Sequence, residues 1–245
     1  MNFGKAWLVT KKDLLIMRKR KSILALMFVL PLLLSIGLPS LIDYLIIRKS
    51  PPVSEITELL GSFAYFFILI SAFIPLYVSS YSIVGEKSEK SIEPLLAAPI
   101  SDNEILLGKY IAVLLPALSA IYVAGLIFMT LTDLLTHNFI HYYYYPNWTF
   151  GAVMLVGVPL GSLYGVALGI LVSSKTNNVQ SSYQMGGITL IPFIILYVLG
   201  EVNIISLDDV NNILLICLGI FIAVIIVYIF NSKTFNRERI ILNWK

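Results

Sequence analysis

The sequence predicts an all-α membrane protein with six transmembrane helices. Of its 245 residues, 58% are hydrophobic and 13% are charged, whereas a soluble domain has about 45–50% apolar and about 25% charged residues. The apolar residues lie in runs of about 20, the length that an α-helix needs to cross a bilayer. Basic side chains flank these runs, nearly all on one side. Together these observations exclude a soluble globular domain and favour a single multi-pass domain over residues 1–245.

The chain is predicted to begin with an amphipathic helix over residues 3–21. Phe3, Trp7, Leu14 and Met17 recur at helical spacing, with lysines on the other side. A basic helix with Trp and Leu on one face is typical of helices that lie in the headgroup region, so we expect an interfacial helix. The alternative is a cytoplasmic tail that ends in the basic run 18–21.

Six apolar runs follow, and each is predicted to be a membrane span. Proline inside such helices is tolerated because neighbouring groups satisfy the freed carbonyl. The fourth run carries four glycines, each four residues after the last, a stripe that lets two helix backbones approach closely. These helix-packing residues are Gly157, Gly161, Gly165 and Gly169. The predicted spans are residues 23–47, 59–84, 105–132, 149–172, 181–199 and 212–230.

The distribution of basic residues predicts the orientation. If the spans alternate, all of the 17 Lys and Arg residues except Arg48 and Lys49 fall on one side. Short cytoplasmic loops are enriched in Lys and Arg, so both termini are expected in the cytoplasm. The same placement of charge argues against a nucleic-acid partner. The single cysteine, Cys217, lies in an apolar run and excludes a disulfide framework.

The polar stretch over residues 85–109 has the clearest local signals in the chain. Ser101 and Glu104 form a capping box, in which the serine accepts from the third helical position and the glutamate reaches back to the cap. A helix is therefore expected to begin at Asp102 and to continue into the third span. Before it, Ser91 can cap a helix of about two turns over residues 91–98, and Pro99 ends that helix.

This stretch resembles the cytoplasmic loop of type-2 ATP-binding-cassette (ABC) exporter permeases. The matching residues are Gly85-Glu86-Lys87, Ser91-Ile92-Glu93-Pro94-Leu95-Leu96, Pro99-Ile100-Ser101, Glu104-Ile105 and Gly108-Lys109. Six spans, an N-terminal interfacial helix and this loop cover nearly the whole chain. One departure is Lys90-Ser91, which stands where the family usually has Gly-Thr. Serine keeps the capping hydroxyl, but the bend before the helix loses its glycine.

The resemblance implies that residues 91–98 are a coupling helix, which docks on a separate, soluble ABC ATPase. Leu95 and Leu96 would anchor it. The chain would be no enzyme and would bind no cofactor, since ATP and Mg would lie on the partner. A second permease, identical or similar, would complete the exporter in the plasma membrane. The docking residues expected are Glu86, Glu89, Ser91, Glu93, Leu95, Leu96 and Pro99.

Hydroxyl-rich positions of the spans are candidates for the translocation path. Hydroxyls in lipid need a partner, so such positions face other helices or a wet cavity. We expect them to line the cavity at Ser71, Tyr77, Ser80 and Gln184. Few ionisable groups lie in the spans, which favours an amphiphile, drug or lipid-like cargo, although a small ion stays possible. The sequence leaves the cargo, the direction of transport and the choice between homodimer and heterodimer open.

Other chemistry has weaker support in the sequence. No G-x-x-x-x-G-K-[ST] loop occurs, so ATP would be hydrolysed by another chain. His137 and His141 could share a helix face, but no third ligand accompanies them, and no metal site is expected. Tyr142 to Tyr145 and Trp148 are typical interfacial aromatics, or else a lip for an external ligand.

The competing function is a non-transporting membrane subunit or channel without an ATPase partner. Asn147 is in a glycosylation sequon, whose use stays open.

Overall fold

A computed structural model describes residues 3–49, 51–88, 99–176, 178–202 and 204–234, which form helices joined by short turns. Within these ranges there is no strand. The helices are α1 (Phe3–Lys19), α2 (Lys21–Lys49), α3 (Val53–Ser88), α4 (Asp102–Ile140), α5 (Trp148–Ala152), a π-helical turn (Val153–Gly157), α6 (Val158–Lys175), α7 (Val179–Ile188), α8 (Ile191–Glu201) and α9 (Val210–Thr234).

The six spans predicted from the sequence are confirmed in number. The described part of the chain contains six helical stretches long and apolar enough to cross a membrane. The first three are α2, α3 and α4; the fourth combines α5, the π-helical turn and α6; the fifth combines α7 and α8; and the sixth is α9. Helix α1 is present over nearly the predicted residues, whereas its place at the membrane surface stays a prediction.

Helix α3 is the centre of the bundle. In its most apolar window 72% of the residues are buried, against 17% in the sixth span. The glycine stripe of the fourth span packs against α3. A Cβ added to Gly161 would come within 3.0 Å of the Ile68 carbonyl oxygen, and one added to Gly165 would collide with the carbonyl oxygen of Ala72. The two backbones therefore meet at a distance that only glycine allows.

The second span runs over Val53–Ser88 instead of the predicted 59–84, and the third and fifth spans also depart from their predictions. The third was expected to end near residue 132, but α4 continues to Ile140 and is closed by His141 at φ 64°. Asp133 does not end the helix, because its carboxylate accepts from the backbone N–H groups of Tyr144 (3.0 Å) and Tyr145 (3.1 Å) and holds the returning chain.

The fifth span was expected to be continuous over residues 181–199. It is instead broken between α7 and α8 at Thr189 and Leu190. Pro192 lies in the first turn of α8, where its missing N–H costs no hydrogen bond. The Thr189 hydroxyl donates to the carbonyl oxygen of Gly186 at 2.5 Å. Proline and this local hydrogen bond together account for the break.

Candidate functional site

The predicted coupling helix lies outside the described residues. For Glu89, Ser91, Glu93, Leu95 and Leu96 the docking role therefore stays a prediction. The chain on both sides is described: α3 ends at Ser88, and the chain resumes at the exposed Pro99 before α4 begins. We call these two flanks, residues 82–88 and 99–109, the loop base.

A cluster of four charged side chains joins the loop base to the N-terminal helix. The Lys109 ammonium lies 2.8 Å from a Glu86 carboxylate oxygen and 3.4 Å from an Asp13 oxygen. Lys109 also donates to the Ser82 hydroxyl at 3.0 Å. Lys12 reaches the other Glu86 oxygen and lies 3.8 Å from Asp13. Lys12, Asp13, Glu86 and Lys109 are called the charge network below.

The charge network is electrically balanced and largely buried. Lys109 is 2% exposed and Glu86 is 6% exposed. An unpaired charge at such depth costs several kcal/mol, so buried charges persist only with partners of opposite sign and further hydrogen bonds. Two cations and two anions meet this condition here. The network thus joins α1, α3 and α4 at a single point, and Glu86 and Lys109 join the two sides of the loop base directly.

Glu86 lies elsewhere than the sequence analysis expected. It was predicted to be a docking residue for the ATPase, but its carboxylate is buried inside this chain and accepts hydrogen bonds from two lysines. The reason is the helical register of α3, which turns Glu86 toward α1 and α4 rather than toward solvent. We therefore assign Glu86 to the charge network and leave it out of the docking surface.

The N-terminal helix packs closely on the start of α4. The Thr10 hydroxyl donates to the carbonyl oxygen of Gly108 at 3.0 Å. A Cβ at Gly108 would come within 2.6 Å of the Val9 Cβ, so this glycine permits the contact. The Lys5 ammonium also donates to the carbonyl oxygen of Pro99 at 2.7 Å. Helix α1 therefore contacts both the buried Gly108 and the exposed Pro99 of the loop base.

The capping box expected at the start of α4 is present. The backbone N–H of Glu104 donates to the Ser101 hydroxyl at 3.4 Å, and the Glu104 carboxylate accepts from the backbone N–H of Ser101 at 2.9 Å. Ile105 is fully buried in the same cluster that Ile100 packs against. The direction in which the chain enters α4 is thereby fixed by side-chain contacts at its first turn.

A family model described as "ABC-2 family transporter protein" matches residues 7–217, which include most of α1, the loop base, the first five spans and the start of α9. The chain belongs to the ABC-2 transporter family. A comparison with curated proteins gave no match. Membership makes the protein a membrane permease of a family whose ATPase activity is in a separate chain, in agreement with the resemblance described above.

Two residues expected to line the transport path are helix-packing residues of the permease. Ser71 is fully buried, donates to the Ile68 carbonyl oxygen at 2.7 Å and lies against Gly161. Ser80 is also fully buried, and its hydroxyl has no hydrogen-bond partner among the described residues. Ser71 is buried because the glycine stripe brings the fourth span onto the hydroxyl-bearing face of α3, whereas the Ser80 hydroxyl lies against Gly186 of α7 in the fifth span.

The other two predicted path residues lie at more open positions of the permease. The Tyr77 ring stacks on the Tyr183 ring with centroids 4.2 Å apart, and Tyr77 is half-buried. Gln184 is exposed on α7. These residues share the region between α3 and the fifth span. Tyr183 was not singled out from the sequence, because nothing in the spacing of residues 77 and 183 reports their contact.

Aromatic side chains pack together at the end of the permease opposite the loop base. The Tyr145 hydroxyl donates to the Leu60 carbonyl oxygen at 3.0 Å and the Tyr144 hydroxyl to that of Thr57 at 3.2 Å. Burial raises the pKa of Tyr144 to about 12. His137 stacks on Tyr143 at 4.5 Å. Within the described residues no three His, Cys, Asp or Glu side chains are grouped to hold a metal ion.

Proposed function

We propose that this permease couples ATP hydrolysis on a separate ABC ATPase to export of a substrate across the plasma membrane. Residues 91–98 form the docking helix, with Leu95 and Leu96 as its apolar anchors. Both termini and this helix lie in the cytoplasm, and α1 lies in the membrane interface. The working unit contains a second permease, identical or similar. The family match over residues 7–217 supports the transport role.

The observation that carries the coupling proposal is the contact between Glu86 and Lys109. Glu86 is two residues before the described end of α3, and Lys109 is in the second turn of α4. A displacement of residues 89–98 by the ATPase therefore moves two spans as one body. Helix α1 follows, because Lys12 and Asp13 belong to the same charge network. Packed elements of this kind move as rigid bodies rather than deforming continuously.

The path proposed for the cargo runs between α3 and the fifth span. Tyr77 and Gln184 remain its candidate lining residues, and Tyr183 is added because its ring stacks on that of Tyr77. The apolar outer surfaces of α7, α8 and α9 need lipid or a second permease to cover them. An amphiphilic cargo suits a path that combines aromatic faces with few charges.

The experiment that tests the coupling proposal replaces both leucines of the docking helix by aspartate. Leu95→Asp with Leu96→Asp should abolish ATPase co-purification and transport in proteoliposomes, while membrane insertion is retained. Lys175→Asp is the matched control, since it changes the charge by the same two units at an exposed position of α6. Unchanged ATPase binding and transport in the double variant would refute the assignment.

A channel or non-transporting subunit remains the alternative function. This alternative predicts a different result in the same proteoliposomes. A channel would pass its substrate across proteoliposomes without any P-loop ATPase, and addition of ATP with the partner would not alter the rate. Transport that appears only when both the ATPase and ATP are supplied excludes this alternative.

A further inference from the structure

The outward face of α1 combines apolar and basic side chains. Trp7, Lys11, Leu15 and Lys19 follow one another at steps of four residues, and all four are exposed. Residues at this spacing are neighbours on a helix surface, so they form one stripe along α1. The lysines were expected opposite the apolar residues, but Lys11 and Lys19 share their face, because the other side of α1 packs on α4.

The positive charge of this face is not balanced within the protein. Its basic residues are Lys11, Arg18 and Lys19, and Lys21 follows at the start of α2; all four are exposed. Within the ranges that the structure describes, none of the four forms an ion pair. Asp13 is the one acid of α1, and it is buried in the charge network on the opposite side. The face therefore needs a negatively charged partner from outside the chain.

The connections of α1 keep this face beside the ends of two spans. Arg20 alone separates α1 from α2, the first of the six spans. Its guanidinium lies over the Tyr81 ring, 4.3 Å from the ring centroid, and so holds the corner between the two helices against α3. Thr10 and the charge network hold the buried side of α1 on the start of α4, the third span. The side that remains open carries Trp7, which is 48% exposed, and Leu15, which is 51% exposed.

We propose that this face binds anionic phospholipids of the cytoplasmic leaflet. The proposal rests on the placement of α1 in the membrane interface given above and names the lipid that lies there. Trp7 and Leu15 enter the boundary of the acyl chains, while Lys11 and Lys19 reach the headgroups, because long basic side chains keep their charge at the polar surface. Lys and Arg form strong charge-assisted hydrogen bonds with phosphate oxygens.

The charge of the lipid is the specific part of this proposal. A zwitterionic lipid covers Trp7 and Leu15 as well as an anionic one does, but it adds no net negative charge beside the four basic residues. Clusters of Lys and Arg directly next to a membrane span attract anionic headgroups. Bound anionic lipid therefore stabilises the position of α1, and through Lys12 and Asp13 it supports the charge network.

Fluorescence quenching of Trp7 measures which lipid lies against this face. Trp148→Phe with Trp244→Phe leaves Trp7 as the single tryptophan of the permease. This protein is reconstituted without the ATPase in vesicles of phosphatidylcholine and phosphatidylglycerol in equal amounts. The bromine label near the top of the acyl chains is carried either by the phosphatidylglycerol or by the phosphatidylcholine. Bromine quenches tryptophan only at close contact, so the ratio of the two quenching strengths gives the lipid preference at α1.

The variants remove the basic residues of the face singly and together. They are Lys11→Gln, Arg18→Gln, Lys19→Gln and the triple variant, all at exposed positions where the fold is retained. Lys175→Gln is the matched control, since Lys175 is an exposed basic residue at the end of α6. Each variant is made in the single-tryptophan background.

We expect stronger quenching of Trp7 when phosphatidylglycerol carries the bromine. Each single variant should lower this preference by up to about fivefold, the equivalent of about 1 kcal/mol per basic residue. The triple variant should quench equally with either labelled lipid, and Lys175→Gln should keep the full preference. High salt should lower the preference of the parent protein, because exposed charges are screened.

Distinct results would overturn the proposal. Equal quenching by the two labelled lipids would reject the anionic preference while leaving α1 in the interface. Quenching by neither lipid would remove α1 from the interface and would contradict that part of the proposed function as well. A preference that survives in the triple variant, or that falls equally in Lys175→Gln, would not arise from this face. Loss of quenching on addition of the purified ATPase would show that the face docks on that protein instead of on lipid.

Discussion

Replacing Lys109 by methionine tests the charge network most directly. Methionine keeps most of the length of the side chain but removes the ammonium that faces Glu86 at 2.8 Å and Asp13 at 3.4 Å. With an effective dielectric constant of about 20, the two attractions are about 6 and about 5 kcal/mol before desolvation is subtracted. The network is left with two anions and only Lys12. Removal of one partner from a buried ion pair costs about 3–5 kcal/mol net, a large fraction of the stability of a typical domain.

The assay is thermal unfolding of the purified permease, combined with ATP-driven transport where the partner is available. We expect the midpoint to fall by roughly 10 °C, on a scale of about 2–4 °C per kcal/mol for a chain of this size. Lys175→Met is the control, because Lys175 is exposed at the end of α6. Adding Glu86→Gln to Lys109→Met leaves Lys12 and Asp13 as a balanced pair, so the double variant should recover part of the loss.

Two outcomes would contradict this reasoning. If Lys109→Met unfolds within about 1 °C of the Lys175 variant, the pair of Glu86 and Lys109 contributes no net stability. Many surface ion pairs behave in this way. If the double variant is less stable than Lys109→Met alone, the cost does not arise from uncompensated negative charge. Both measurements are independent of transport, so a loss of transport without a loss of stability would indicate a role in coupling alone.

Three further predictions follow from local contacts. Gly165→Ala should destabilise the permease by about 1–3 kcal/mol, because the added methyl group meets the Ala72 carbonyl oxygen, whereas Gly187→Ala has open space and should be neutral in the same unfolding assay. Ser101→Ala should cost about 1 kcal/mol and speed amide exchange in the first turn of α4, and an unchanged exchange rate would show that the cap is dispensable. Ser173→Ala should speed exchange of the amides of Ile83 and Val84, whose N–H groups both donate to the Ser173 hydroxyl at 3.0 Å; exchange confined to other residues would contradict this.

The features that the sequence predicted well are those set by neighbouring residues. Length and hydropathy suffice for the six spans, because each helix satisfies its backbone hydrogen bonds within itself. The capping box of α4 needs only Ser101 and Glu104, three residues apart. The glycine stripe likewise reports a close helix contact through its spacing alone.

The features that the sequence missed depend on contacts distant along the chain. Glu86 was taken for a docking residue because nothing local shows that Lys109, 23 residues later, turns toward it. Ser71 was taken for a cavity residue because the partner helix that buries it starts far downstream. A polar residue in a span predicts that a partner exists, but helical periodicity cannot tell whether that partner is a side chain, a glycine backbone or water.

The contact of the N-terminal helix with α4 also sets an order for biogenesis. Lys109, which pairs with Asp13, lies 96 residues later in the chain. Gly108, which accepts from Thr10, lies 98 residues after Thr10. At about 5–20 residues per second, synthesis reaches that partner about 5–20 s after α1 has left the ribosome. Until then Asp13 lacks Lys109 and remains in water or in the headgroup layer, where a carboxylate is tolerated. Docking of α1 on α4 is therefore a late event, which follows the synthesis of the start of α4.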